Sequence, residues 1–139
     1  MNLSELLSDL TTHYNALIRS AASQLNLTSS QAFHLISIPS NGISMSHLAN
    51  KLGLDNSTLT RNIQKLEKMG LVDRRPGSYD KRVQNAILTK QGVKNLKEIE
   101  EILLQMNHTI IEQIDLDSQE NISDVLEKLV WAMDCVRDE

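Results

Sequence analysis

A mostly helical domain carrying one small β-hairpin is the fold class this sequence predicts, on three observations. Apolar residues recur at steps of three and four along most of the chain, the period of amphipathic helices. That period changes to a strand-like pattern around one Pro76-Gly77-Ser78 turn, as expected for a hairpin. Hydrophobic residues make up 40% of the chain but aromatics only 3%. The core is therefore left to Leu, Ile, Val and Met, which suits packed helices.

Residues 4–25 are expected to form the first helix, with Leu6, Leu7, Leu10, Tyr14, Leu17, Ile18, Ala21 and Leu25 on one stripe. Thr28 and Gln31 have capping-box spacing and open a short helix through Phe33, Leu35 and Ile36. Pro39 and Gly42 end it. Ser44 caps a third helix with Met45, Leu48, Ala49 and Leu52 inward, and Gly53 stops it. Asp55 caps a fourth, over 56–69, whose inner face is Leu59, Ile63, Leu66 and Met69, with Gly70 as its stop. Leu71–Arg75 and Val83–Leu88 are the two strands. A long helix starts at Thr89, and its seam is Leu96, Ile99, Leu103, Met106 and Ile110, the spacing of a helix that packs along another. Asp117 and Glu120 mark the cap of a final helix carrying Ile122, Val125, Leu126, Leu129, Met133 and Val136. The whole reads as a single domain over 1–139. Residues 28–92 form a winged helix-turn-helix lobe, and 1–27 and 93–139 supply N- and C-terminal dimerisation helices. Leu6, Leu10, Leu103, Ile110, Leu126, Leu129 and Met133 are the expected dimer contacts.

The formal charge of −4 hides a segregated protein. Residues 56–94 hold nine Lys/Arg against three acids, net +6, whereas residues 95–139 hold three against twelve, net −9. A basic module inside an acidic chain is the footprint of a nucleic-acid reader. The acidic remainder would be repelled by phosphate, which decides the side that faces a duplex. So few aromatics argue against single-strand binding by base stacking.

In a winged helix-turn-helix, the helix at 44–52 crosses the DNA backbone and the helix at 56–69 enters the major groove. Opposite its apolar stripe the latter carries Ser57, Thr58, Thr60, Arg61, Gln64, Lys65 and Lys68. Short hydroxyls at a helix N-terminus can bond phosphate oxygens. Arg61 has the reach and fork geometry for guanine O6 and N7, and Lys65 and Lys68 are expected at phosphate. The loop from Gly77 to Arg82 presents Lys81 and Arg82, and an arginine there can enter a narrow minor groove. Asp80 is expected to hold Arg75 or Arg82 in position.

At these residues the chain resembles the MarR family of bacterial transcriptional regulators. The matching text is LAxKLGL at 48–54, STLTR at 57–61, KLEKMGLVDRRP at 65–76, DKR at 80–82 and LTKQG at 88–92. The order and spacing of these pieces carry the resemblance, which covers roughly residues 44–94. It implies an obligate homodimer, its N- and C-terminal helices interlaced, on a pseudo-palindromic operator; a repressor is the reading taken from the whole. It implies that Ser57, Thr58, Thr60 and Arg61 face DNA, that Asp80 braces the wing, and that Arg82 reaches the minor groove. Family members often release DNA when a small lipophilic or phenolic effector binds between their lobes. Tyr14, Ile18, Phe33 and His34 are candidates to line such a pocket, although core packing is the better reading of the four. His47 departs from the pattern, standing where an acid often completes the helix's capping box.

The remaining chemistry is sparse. His13, His34, His47 and His108 show no metal-ligand spacing, and no cofactor or metal is expected. Cys135 stands in an acidic run with Asp134, Asp138 and Glu139, and no redox switch is expected there. It reads as a bystander, and a lone cysteine suits a reducing cytoplasm. No catalytic constellation is visible, so an enzyme is not expected. No run of about 18 apolar residues is present to span a membrane, and the N-terminus lacks the basic start of a secretory signal. The alternative reading is a winged-helix scaffold that binds protein and not DNA.

Overall fold

The computed structural model describes residues 1–138; Glu139, counted above in the acidic end, lies outside them. Six helices and three short strands follow in the order α1 (Leu3–Ser23), α2 (Ser29–Ser37), β1 (Ile43–Ser44), α3 (Met45–Leu52), α4 (Asn56–Lys68), β2 (Val72–Pro76), β3 (Gln84–Leu88), α5 (Lys90–Ile111) and α6 (Leu116–Arg137). Two compact units are present, residues 1–103 and the segment from Leu104 onward.

Helix starts are set by side chains that accept the first free N–H groups. Asn2 and Glu5 form a reciprocal box at α1, as Thr28 and Gln31 do at α2. At α3 the Ser44 hydroxyl accepts the His47 N–H at 3.2 Å. The cap therefore forms without an acid at His47. Gly53 closes α3 in the left-handed region at φ 69°, where a Cβ would be strained, and so sets the tight turn into α4. One expected cap moves. The start of α6 is held by Asp115, not Asp117: its carboxylate accepts the Ser118 N–H at 2.9 Å and the Ser118 hydroxyl at 2.9 Å. Those bonds, chiefly the backbone one, hold the Asp115 pKa below its usual value.

The core of the first unit is aliphatic. Ile18, Leu35, Ile38, Leu48, Leu59, Ile63, Leu66, Val72 and Ile99 are all nearly inaccessible to solvent, each contributing about 1.5–3 kcal/mol by burial. α1 packs on α2, and α3 on α4. The sheet is antiparallel in the order β1-β3-β2. Val72 faces Leu88, and Pro76 faces Gln84 across the hairpin. β1, absent from the sequence expectation, adds a third strand by pairing Ile43 with Ala86 and Ser44 with Asn85. The start of α5 is tied back to the end of α4. The Thr89 hydroxyl donates to the Gly70 carbonyl at 2.6 Å and accepts the Gly92 N–H at 3.0 Å. A Cβ at Gly92 would overlap the Leu71 carbonyl oxygen, so only glycine allows this approach.

Candidate nucleic-acid interface

α4 divides cleanly into two faces. Leu59, Ile63 and Leu66 are buried, while Ser57, Arg61, Gln64, Lys65 and Lys68 are exposed. Thr58 and Thr60 are half-buried at the margin. The N-terminus of the helix is organised by Asp55, which accepts the Thr58 N–H at 2.7 Å, the Ser57 hydroxyl at 2.7 Å and the Thr58 hydroxyl at 3.0 Å. These bonds, the backbone one first, lower the Asp55 pKa from 3.8 to about 2. Arg61 reaches back to the Thr58 hydroxyl at 3.4 Å, and Thr60 donates to the Asn56 carbonyl at 2.8 Å. The three hydroxyls expected at phosphate are thus occupied as donors within the chain. Each would have to exchange an internal acceptor for an external one.

The wing is the β2–β3 hairpin and its loop. Asp80 accepts three bonds from Arg82: backbone N–H at 3.0 Å, Nε at 3.1 Å and Nη2 at 3.2 Å. The side-chain bonds, more than the backbone one, keep the Asp80 pKa below its usual value. Of the two arginines considered, Arg82 is the one held. Arg75 lies 3.6 Å from Asp73 instead, and Arg75, Lys81 and Arg82 are all exposed. Arg74, counted in the basic segment, is half-buried and pairs with Glu67 of α4 at 2.7 Å, linking the helix to the wing. Ser44, Met45, Ser46, Asn56, Thr60, Arg82, Val83 and Gln84 line a hollow of about 350 Å³ between α3, α4 and the wing. Ser46, Asn56 and Gln84 carry no signal in the sequence, because only the fold brings residues so far apart to one concavity.

The four effector candidates separate. Ile18 is wholly buried, and His34 is almost so. His34 Nδ1 donates to the Ser30 carbonyl at 2.6 Å, and its Nε2 meets the Asn62 amide at 3.2 Å. It is a core histidine that joins α2 to α4. Tyr14 and Phe33 pack edge to face with ring centres 6.5 Å apart. Phe33 and His34 also border an open hollow of about 520 Å³ with Asn15, Ser37, Leu52 and Leu54. Among the expected dimer contacts, Leu103 is buried within the chain, and Leu129 is half-buried. Leu6, Leu10, Ile110, Leu126 and Met133 are exposed. Cys135 is exposed. Among the described residues no group of three or more His, Cys, Asp or Glu gathers as a metal site, and no helix is long and apolar enough to cross a membrane.

A helix-turn-helix braced by a three-stranded wing defines a winged-helix protein. The MarR family pattern matches residues 27–83. A relative, the uncharacterized HTH-type transcriptional regulator YybA of Bacillus subtilis, is 34% identical over 71 residues, 50% of this chain and 47% of its own. The aligned part thus spans about half the length of that relative. Wild-type MarR of E. coli in its apo form superposes with a TM-score of 0.79 at 25% identity, covering 93% of this chain and 96% of that one. A cysteine-to-serine mutant of the E. coli protein, solved with operator DNA, gives 0.75 at 26% identity over 91% and 92% of the two chains. Residues 27–83 thus carry a MarR family domain, and the fold around them is that of MarR structures.

Proposed function

We propose that this protein is a sequence-specific, double-stranded-DNA-binding transcriptional regulator, a repressor that acts in the cytoplasm as a homodimer on a pseudo-palindromic operator. The observation that carries the reading is the outer face of α4. Arg61, Gln64, Lys65 and Lys68 stand exposed on a helix whose other face is locked into the core. A rigid helix with a cationic outer face is what major-groove reading requires. The likeness to a relative solved with operator DNA supports it. Arg61 reads a base edge, Lys65 and Lys68 hold phosphate, and Arg82 enters the minor groove. No enzymatic role is proposed.

Pairing is supported by the apolar surface that the chain leaves uncovered. Leu6 and Leu10 on α1, and Val125, Val130, Trp131, Met133 and Val136 on α6, are all exposed. Apolar side chains left open in a row on a helix mark that helix as an association surface. Release by a small lipophilic or phenolic effector rests on the hollow beside Phe33, whose ring packs edge to face with Tyr14.

The deciding experiment sequences duplexes captured by the purified protein from a random library, then follows binding to the recovered operator against salt. A reader of this kind is expected to return a two-fold motif. It should lose on the order of a thousandfold or more in affinity between about 50 and 200 mM salt, as released counterions require. Absence of duplex binding near 0.1 M salt would leave the winged-helix scaffold as the better reading.

A further inference from the structure

We propose that Tyr79 is a specificity-determining residue of the wing, its ring entering the minor groove beside each half-site and favouring A·T over G·C pairs there. The proposal rests on the DNA-binding reading above. Tyr79 has a relative exposure of 105%, the highest among the large apolar side chains of the described residues. A ring left wholly in water contributes nothing to the fold. The loop that carries it is nonetheless closed beneath it. The Gly77 N–H donates to the Val83 carbonyl at 2.7 Å, and the Val83 N–H to the Asp80 carbonyl at 3.1 Å. Asp80 in turn holds Arg82 through three bonds. The other aromatics are placed elsewhere: Tyr14 and Phe33 pack on each other in the first unit, and Trp131 lies on α6. Tyr79 alone belongs to the basic segment, where Asp80 separates it from the exposed cations Lys81 and Arg82.

Those cations draw the loop to phosphate and so bring the ring to a groove. On a minor-groove floor, A·T pairs offer only acceptors, adenine N3 and thymine O2, whereas guanine adds a projecting amino group. A tyrosine ring fits the first floor, where its hydroxyl can donate to either acceptor, and is displaced by the second. Apolar side chains, phenylalanine among them, are used in this groove, where they wedge against base steps. The sequence preference thus comes from the ring, and the cations supply attraction without regard to sequence.

The test uses the full-length protein and one operator recovered from a random library. Three duplexes differ only at the pairs flanking each half-site: A·T, G·C and inosine·C, the last lacking the guanine amino group. The parent is expected to bind the A·T and inosine·C duplexes alike and the G·C duplex about tenfold more weakly, the order of one mismatched pair in a site. Tyr79→Phe should keep that preference, because exclusion is a property of the ring. Tyr79→Ala should bind all three duplexes equally while melting like the parent. Arg61→Ala should weaken all three and leave the preference intact. If the parent binds the operator but does not discriminate among the flanks, or if Tyr79→Ala still does, Tyr79 is not a specificity residue and the DNA reading stands. If the parent binds no duplex near 0.1 M salt, that reading falls and this proposal falls with it.

Discussion

α4 and α6 are both amphipathic helices, yet they use their apolar faces in opposite ways. α4 buries Leu59, Ile63 and Leu66 inside its own chain. α6 is longer and buries none of its residues, although it carries Val125, Leu126, Val130, Trp131, Met133 and Val136 in the open. A helix whose apolar stripe is satisfied internally has its other face free, and on α4 that face is cationic. A helix whose stripe is unsatisfied needs a partner from outside the chain. The charges agree with this division: net +6 over residues 56–94, net −9 over 95–139. We read α4 as the surface that meets DNA and α6 as one that meets a second copy.

The largest expected effect breaks this comparison at the core of α4. Ile63→Ala should cost about 2–5 kcal/mol, the range for emptying a fully packed aliphatic site, seen as a lower midpoint in denaturant. Trp131→Ala on α6 should act differently. At micromolar protein it should lower the melting temperature, and the loss should shrink as concentration rises, since association stabilises by mass action. A melting temperature independent of concentration in both parent and variant would remove α6 from any interface. Leu103, expected at the interface from its place in the seam, is a poor probe. It is buried within the chain, so a charge there would unfold the lobe whether or not a partner exists. Ile110, still exposed, is the informative position, and Ile110→Glu should give a monomer in sedimentation.

Next in size is the outer face of α4. Arg61→Ala should cost about 1–3 kcal/mol of operator affinity and relax base preference at one position per half-site. Lys65→Ala should weaken all sequences alike and flatten the salt slope by about one unit per phosphate released. Equal loss by both variants on every sequence would make Arg61 a phosphate contact.

A smaller effect tests the organising role of Asp55. Its folded pKa is about 2, below an ordinary 3.8, because the Thr58 N–H and the Ser57 and Thr58 hydroxyls bond the carboxylate. A depressed carboxylate pKa stabilises the fold above the ordinary value, and that contribution is lost as pH falls through the folded one. Stability should therefore decline from about pH 4 towards pH 2, and Asp55→Asn should flatten that part of the profile measured by thermal melts. A profile unchanged by the substitution would mean that other carboxylates carry the acid sensitivity.

Much of this division is legible in the sequence, and its gaps have physical causes. The caps at Thr28, Ser44 and Asp55 are local bonds over three residues, so spacing alone finds them. The sequence points to Asp117 for the α6 cap, two residues late, because Asp115 and Asp117 both precede a plausible first turn. Only geometry shows which carboxylate meets Ser118. β1 has two residues, too few for any period, and exists only because β3 offers an edge. The bridge from His34 to Asn62 spans 28 residues, and the Glu67–Arg74 pair joins a helix to a strand. Neither leaves a mark in local sequence. Basicity was legible as a total, but Arg74 is spent on Glu67 and the Ser57, Thr58 and Thr60 hydroxyls on internal acceptors. Composition overstates what is free to meet a ligand.

The smallest expected effect is the sharpest in sign, and it concerns the wing that accompanies α4. Asp80 is an acid beside the cations Lys81 and Arg82, and on charge alone Asp80→Ala should tighten binding to phosphate. Its geometry argues the reverse. Asp80 bonds the Arg82 backbone N–H as well as its Nε and Nη2, so it sets the loop conformation and aims the guanidinium together. Exposed ion pairs of this kind contribute little to stability, so removing Asp80 should leave the melting temperature nearly unchanged. What it should raise is the number of orientations available to Arg82, an entropy that must then be lost on entering a narrow groove. Asp80→Ala is therefore expected to weaken operator binding a few-fold at fixed salt, and Arg82→Ala more strongly. Fluorescence anisotropy on one operator, with circular dichroism melts as the folding control, measures both. If Asp80→Ala binds more tightly than the parent, Coulomb attraction outweighs bracing, and the wing acts as a charged tether without defined aim.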